Sequence, residues 1–187
     1  MDLQARRGLA RSGHTVRSIL VQKVFEFVQE VAGEEARATL PGAPHAHAPF
    51  AEVSADWFID LLALALDRLA PHGVAAHRFY DEIGHRSVLA IRDSTIGRTM
   101  VSMASGDPVR LFESLGSGPS ILVAYGERKV LEVKRGQARI AFAGSLLPPQ
   151  IFAGMYRAMA EGVGAQGVQC TSLERALGDT EHLVTWS

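Results

Sequence analysis

With 187 residues, 47% apolar and 21% charged, the chain has the make-up of one soluble globular domain, neither disordered nor fibrous. Its 19 basic and 20 acidic side chains leave a formal charge of −1, which argues against a general grip on nucleic acid and mildly favours self-association. The single cysteine, Cys170, excludes an intramolecular disulfide and reads as a small hydrophobe of a reducing compartment. The most apolar stretch, Leu61 to Leu66, is bracketed by Asp60, Asp67 and Arg68 far short of a membrane span. A cytoplasmic protein with no membrane insertion and no signal segment is the expectation.

Residues 1–14 are polar and are expected to be a flexible, frayed N-terminus, leaving 15–187 as the single domain. From Thr15, a candidate cap, the positions Val16, Ile19, Leu20, Phe27, Val28 and Val31 recur at helical spacing until Gly33 closes the helix. Glu34 to Leu40 reads as a second short one. The Pro-rich run 41–49 must be an extended connector, because its prolines remove donors and restrict the residues before them.

Ser54 and Asp56 suit the start of a helix over Trp57 to Ala70 that is apolar on most faces and therefore central. Val74 to Asp93 continues the helical period, with Phe79, Ile83, Val88 and Ile91 facing inward, and Arg98 to Ser105 follows. Asp107-Pro108 places a cap before a proline in the first helical position. Gly116-Ser-Gly-Pro119 then punctuates the chain.

Beyond Pro119 the period changes. Pro119–Tyr125, Lys129–Lys134 and Gln137–Phe142 read as a three-stranded antiparallel meander, and Pro148-Pro149 opens an amphipathic helix to Glu161. Gly167–Leu173 and Glu181–Trp186 supply two more strands about a turn at Leu177-Gly-Asp179. Helices first and strands later make an α+β domain: a helical half packed on an antiparallel sheet with one embedded helix.

Val16-Arg-Ser-Ile-Leu-Val-Gln-Lys-Val-Phe-Glu-Phe-Val28 resembles the first helix of the heme-nitric-oxide/oxygen-binding (H-NOX) superfamily. Ile121–Gly164, with Pro148-Pro149 and the helix Gly154-Met-Tyr-Arg-Ala-Met-Ala-Glu-Gly162, resembles a myxobacterial family of uncharacterised domains, as does the final Val184-Thr-Trp186. These domains are similar to the wider fold of H-NOX, four-vinyl-reductase and TRAPP-type proteins. The resemblance implies an H-NOX-like fold and, through H-NOX, a heme gas sensor with a ligating His and a Tyr-x-Ser-x-Arg motif for the propionates. Here the corresponding stretch is Tyr125-Gly-Glu-Arg-Lys129, with Glu127 for the Ser and Lys129 for the Arg fork. The stretch Ser94 to Met100, where the ligating His is expected, has none, so no cofactor is expected.

Other constellations read as structure. His77, Asp81 and His85 share a helical stripe whose ends lie about 12 Å apart, too far for one ion, and so form a polar face. His45 and His47 are two imidazoles on a connector without a third ligand. Arg128, Lys129, Lys134, Arg135 and Arg139 read as the solvated outer face of the meander. Ser117 lacks the strand-turn-helix setting of a nucleophile, and no catalytic motif stands elsewhere.

The expectation is a non-enzymatic sensory or adaptor domain with an apolar pocket for a small ligand between helices and sheet. Its wall candidates are Trp57, Phe58, Leu61, Tyr125, Phe152, Met155 and Met159. The competing reading is a homodimeric or partner-binding interaction module with a solid core.

Overall fold

The computed structural model describes residues 2–42, 48, 50–116 and 121–187. His45, His47 and Ser117 lie outside the described residues, as do most of the proline-rich connector and most of the Gly116–Pro119 punctuation. Among the described residues seven helices and six strands follow in order: α1 (Leu3–Leu9), β1 (Thr15–Arg17), α2 (Ser18–Ala38), β2 (Glu52–Ser54), α3 (Ala55–Leu69), α4 (Ala76–Arg92), α5 (Thr95–Ala104), α6 (Pro108–Ser114), β3 (Glu127–Lys134), β4 (Gln137–Ala143), α7 (Pro149–Gly162), β5 (Gln169–Ala176) and β6 (Asp179–Thr185).

Local chemistry explains most of the boundaries. Gly33, at φ +88°, breaks α2 into two helical pieces, a backbone state that a side chain would resist. Asp107 Oδ1 accepts from the Val109 amide at 2.8 Å, and Pro108 needs no amide partner at the first helical position of α6. Pro149 opens α7 in the same way. Ser54 makes no side-chain cap to the α3 backbone; its hydroxyl donates instead to the Asp56 carboxylate.

Two sheets result. The larger is fully antiparallel in the order β3-β4-β6-β5, and the smaller pairs β1 with β2. The expected three-stranded meander is therefore corrected. Its first run does not join the large sheet: Val123 bridges Val16, the Ala124 amide donates to the Thr15 carbonyl, and the Arg17 amide donates to the Leu122 carbonyl. The third neighbour in the sheet is β6, so β4 is flanked on both sides.

α7 lies on the inner face of the large sheet, against β5 and β6, and α4 packs on α7. α2 in turn packs on α3 and α4, so the helical half is stacked outward from the sheet. The core runs through all these layers, with Leu20, Val24, Phe58, Leu62, Phe79, Ile83, Ile140, Ile151 and Val184 all fully enclosed or nearly so. Each such side chain stabilises the fold by roughly 1.5–3 kcal/mol relative to exposure.

The N-terminal stretch expected to fray is also corrected. Asp2 Oδ1 accepts from the Ala5 amide at 3.0 Å to cap α1, and α1 docks on α3. Arg6 carries its guanidinium into the interior, fully buried. Its Nη1 donates to the carbonyls of Leu147 at 3.0 Å and Ser145 at 3.3 Å, and its Nη2 to the Glu174 carboxylate. Composition hid this because a polar segment gives no hydrophobic period when one charged side chain does the anchoring.

Candidate functional site

α4 and α7 meet at two glycines. A Cβ on Gly84 would overlap the Ile151 carbonyl, and one on Gly154 would overlap the Asp81 carbonyl, so the helices touch backbone to backbone. Toward their C-terminal ends α5 and α6 fold against them and leave a partly open cavity of about 140 Å³.

Each wall has a local origin. α4 contributes Val88, Ile91 and Arg92, the last turn before the chain reverses. Gly97 and Val101 come from α5, and Leu111 comes from α6. α7 supplies Phe152, Met155, Tyr156 and Met159 along one stripe, and Ile121 and Leu122 close the side toward the sheet. Ala104, Leu111 and Val163 form a small apolar cluster of their own beside it.

Of the sequence-predicted wall residues, Phe152, Met155 and Met159 line this cavity. Trp57, Phe58, Leu61 and Tyr125 do not: Phe58 and Leu61 are buried in the main core and Trp57 is half-buried against it. Tyr125 lies against the ring of His14, tilted at 45° with centroids 5.8 Å apart. Its hydroxyl is buried with no hydrogen-bond partner among the described residues, and burial pushes its pKa well up. α3 is apolar on most faces because it is sandwiched, and that pattern imitates a pocket wall.

Sequence reasoning missed Arg92, Arg128 and Tyr156. Arg128 belongs to the basic stripe expected on the outer face, yet β3 turns it inward opposite Phe142. There its Nε donates to the Leu115 carbonyl at the end of α6, 3.1 Å away. Strand alternation would have placed Arg128 and Lys129 on opposite faces, a cue that the stripe passed over. Arg92 and Arg128 are the charged members of the wall, and among the described residues no carboxylate lines it. Tyr156 has a buried hydroxyl with no hydrogen-bond partner among the described residues, and burial raises its pKa against a smaller opposing pull from Arg128.

The remaining titratable groups serve packing. Of the stripe expected to be a solvated polar face, His77 is exposed, whereas Asp81 and His85 meet α7: Asp81 pairs with Arg157, and His85 Nε2 lies 2.8 Å from Glu161 Oε2. Among the described residues no three His, Cys, Asp or Glu side chains are grouped to hold a metal ion. His182, on β6, is buried beneath Phe152 and Tyr156 with Ser172 Oγ and Thr180 Oγ1 at 2.8 and 3.1 Å from its ring nitrogens. Burial lowers its pKa to about 4, so it is neutral at pH 7. Burial likewise pushes the Cys170 thiol up to about 12, which removes it as a nucleophile. On the far side of the sheet Arg139 and Arg175 share Glu181 beside the exposed Leu131, Leu173 and Leu183. Among the described residues no helix is long and apolar enough to cross a membrane.

This arrangement is an H-NOX fold. The unliganded Fe(II) H-NOX protein from K. algicida superposes with a TM-score of 0.70 at 11% identity, covering 91% of this chain and 96% of that one. A mutant of T. tengcongensis H-NOX gives 0.57 at 10% identity, with 91% and 97% covered. No curated protein matches the chain significantly in sequence. A family model does, over residues 9–187, and the chain thus belongs to DUF2378, a protein family of unknown function.

Proposed function

We propose that the chain is a non-enzymatic sensory domain for signalling, whose α4–α7 corner takes a small apolar ligand. The observation that carries this reading is the cavity itself, about 140 Å³ and walled almost entirely by apolar side chains. An apolar cavity of about 150 Å³ stays dry and takes a guest the size of benzene. The non-enzymatic part rests on the wall chemistry: Arg92, Arg128 and a Tyr156 phenol with a raised pKa offer no general base at neutral pH.

Solved H-NOX proteins are described through their heme, and the residues here do not fit that group. Among the described residues no imidazole or thiolate lines the cavity. The raised pKa of Tyr156 opposes the tyrosinate that iron would need, and the volume is below the roughly 300 Å³ at which drug-sized pockets begin. Lys129, which stands where the motif's propionate-binding Arg is expected, lies on the exposed side of β3.

Native mass spectrometry beside a visible spectrum tests the reading, with benzene as a neutral probe in a thermal melt. Benzene should raise the Tm of the natural chain and leave Val101→Phe, which fills the cavity, unmoved. A Soret band in the purified protein would overturn the non-heme reading, and equal response of both chains to benzene would overturn the pocket.

One observation favours a second reading, a homodimeric adaptor. Leu131, Leu173 and Leu183 are exposed on the outer sheet face, and β3 and β5 are the edge strands of the sheet among the described residues. Sedimentation equilibrium of the natural chain and Leu173→Lys distinguishes it: a dimer lost in the variant supports the adaptor, and a monomer in both removes it.

A further inference from the structure

The cavity has an apolar body but an electrically one-sided wall. Arg92 stands at its rim on α4, and Arg128 stands half-buried on the inward face of β3, where the strand's alternation would otherwise place an apolar side chain. Among the described residues no Asp or Glu lines the space with them. The nearest described counter-charge to Arg92 is Asp93, whose Oδ1 accepts from its Nε at 3.2 Å in an exposed position outside the lining. The chain as a whole has a formal charge of −1, so the positive field at the cavity is local and not the echo of a basic protein.

A third feature adds to the two guanidiniums. Tyr156 lines the same cavity and carries a buried hydroxyl that has no hydrogen-bond partner among the described residues, in a protein interior where such donors are nearly always satisfied. Arg128 is close enough for its charge to be felt at that phenol. Two guanidiniums and a phenol thus line the same cavity, while Val88, Val101, Leu111, Met155 and Met159 belong to its apolar remainder.

Resting on the pocket reading above, we infer that the ligand class is a compact apolar carboxylic acid in its anionic form, a short acyl chain or a single aromatic ring ending in a carboxylate. The apolar body occupies the space among α4, α5, α6 and α7, and the carboxylate faces Arg128 and Arg92. A guanidinium suits this role because it stays charged at any working pH, so the bond from Arg128 to the Leu115 carbonyl leaves its positive charge in the cavity's lining.

Calorimetric titration of the purified full chain with hexanoate, hexan-1-ol and hexylamine separates this proposal from the one beneath it. Hexanoate should bind about tenfold or more tightly than the alcohol, the margin of a charge-assisted contact, with the amine weakest. Arg128→Met should bring acid and alcohol to similar affinity with the alcohol unchanged, and Arg128→Lys should keep part of the preference. If Arg128→Met does not fold, because it also removes the bond to Leu115, Arg92→Met at the exposed rim carries the test and should narrow the gap. Equal binding of acid and alcohol, or tighter binding of the amine, overturns the carboxylate class and leaves the pocket standing. Binding of none of the three overturns both.

Discussion

The α4–α7 crossing and the α5–α6 corner lie on the same two helices and are packed in opposite ways. At Gly84 and Gly154 there is no room for even a methyl group, whereas a turn or two later the same helices leave a cavity of about 140 Å³. The difference shows how a fold can keep a binding space without loosening everywhere. The crossing fixes the angle and distance of α4 on α7, and the corner inherits a gap that two short helices only partly fill. Rigidity and vacancy are adjacent by construction, and each can be attacked separately.

The largest effect is expected at the crossing. Gly154→Val drives a branched side chain into the Asp81 backbone, and the loss should be about 3 kcal/mol or more by urea denaturation, or no folded protein at all. A loss under about 1 kcal/mol would mean that the helices are not in backbone contact.

Acid should come next, because His182 sits beneath the part of α7 that makes the crossing. Its folded pKa, about 4, lies below the unfolded value of 6.5, so the unfolded chain binds the extra proton. Stability is therefore full above pH 6.5 and falls as pH drops toward 4, by up to about 1.4 kcal/mol per pH unit. His182→Gln should flatten that slope in melts between pH 7 and pH 4; an unchanged slope would assign the acid sensitivity elsewhere.

The corner should respond less. Leu111→Ala enlarges an existing gap next to a small cluster and should cost about 2 kcal/mol, toward the lower end of buried leucine truncations. Val101→Phe, which adds volume where volume is missing, should shift stability by less than about 1 kcal/mol in either direction. A penalty as large as that of Gly154→Val would erase the contrast between the two regions.

The helices after α1 were legible in the sequence because their ends are written in short-range chemistry: Gly33, Asp107-Pro108 and Pro148-Pro149 each mark a boundary through their own backbone needs. The strands β4, β5 and β6 were legible through alternation. What could not be read was pairing across distance. The run Ile121–Tyr125 looks like a meander strand, but its partner is β1, more than a hundred residues earlier, and alternation carries no information about partners. The cavity was legible only along α7. Phe152, Met155 and Met159 share a helical stripe, but Phe58 and Leu61 share one equally well, and only the folding back of α5 and α6 decides which stripe faces empty space. Arg6 and Arg128 were missed for a common reason: a charged side chain reads as surface until its partners are known.

The anchoring of α1 has a temporal side. Arg6 is made early, yet its carbonyl partners at Ser145 and Leu147 lie 139 and 141 residues further on, and Glu174 lies 168 residues further on. At a synthesis rate of about 5–20 residues per second, the N-terminal helix waits on the order of ten seconds or more for its berth to exist. A helix made before the rest of its domain is thus among the last parts of it to be seated. Its docking reports that β4, α7 and β5 are already in place, which makes α1 a built-in marker of completed assembly.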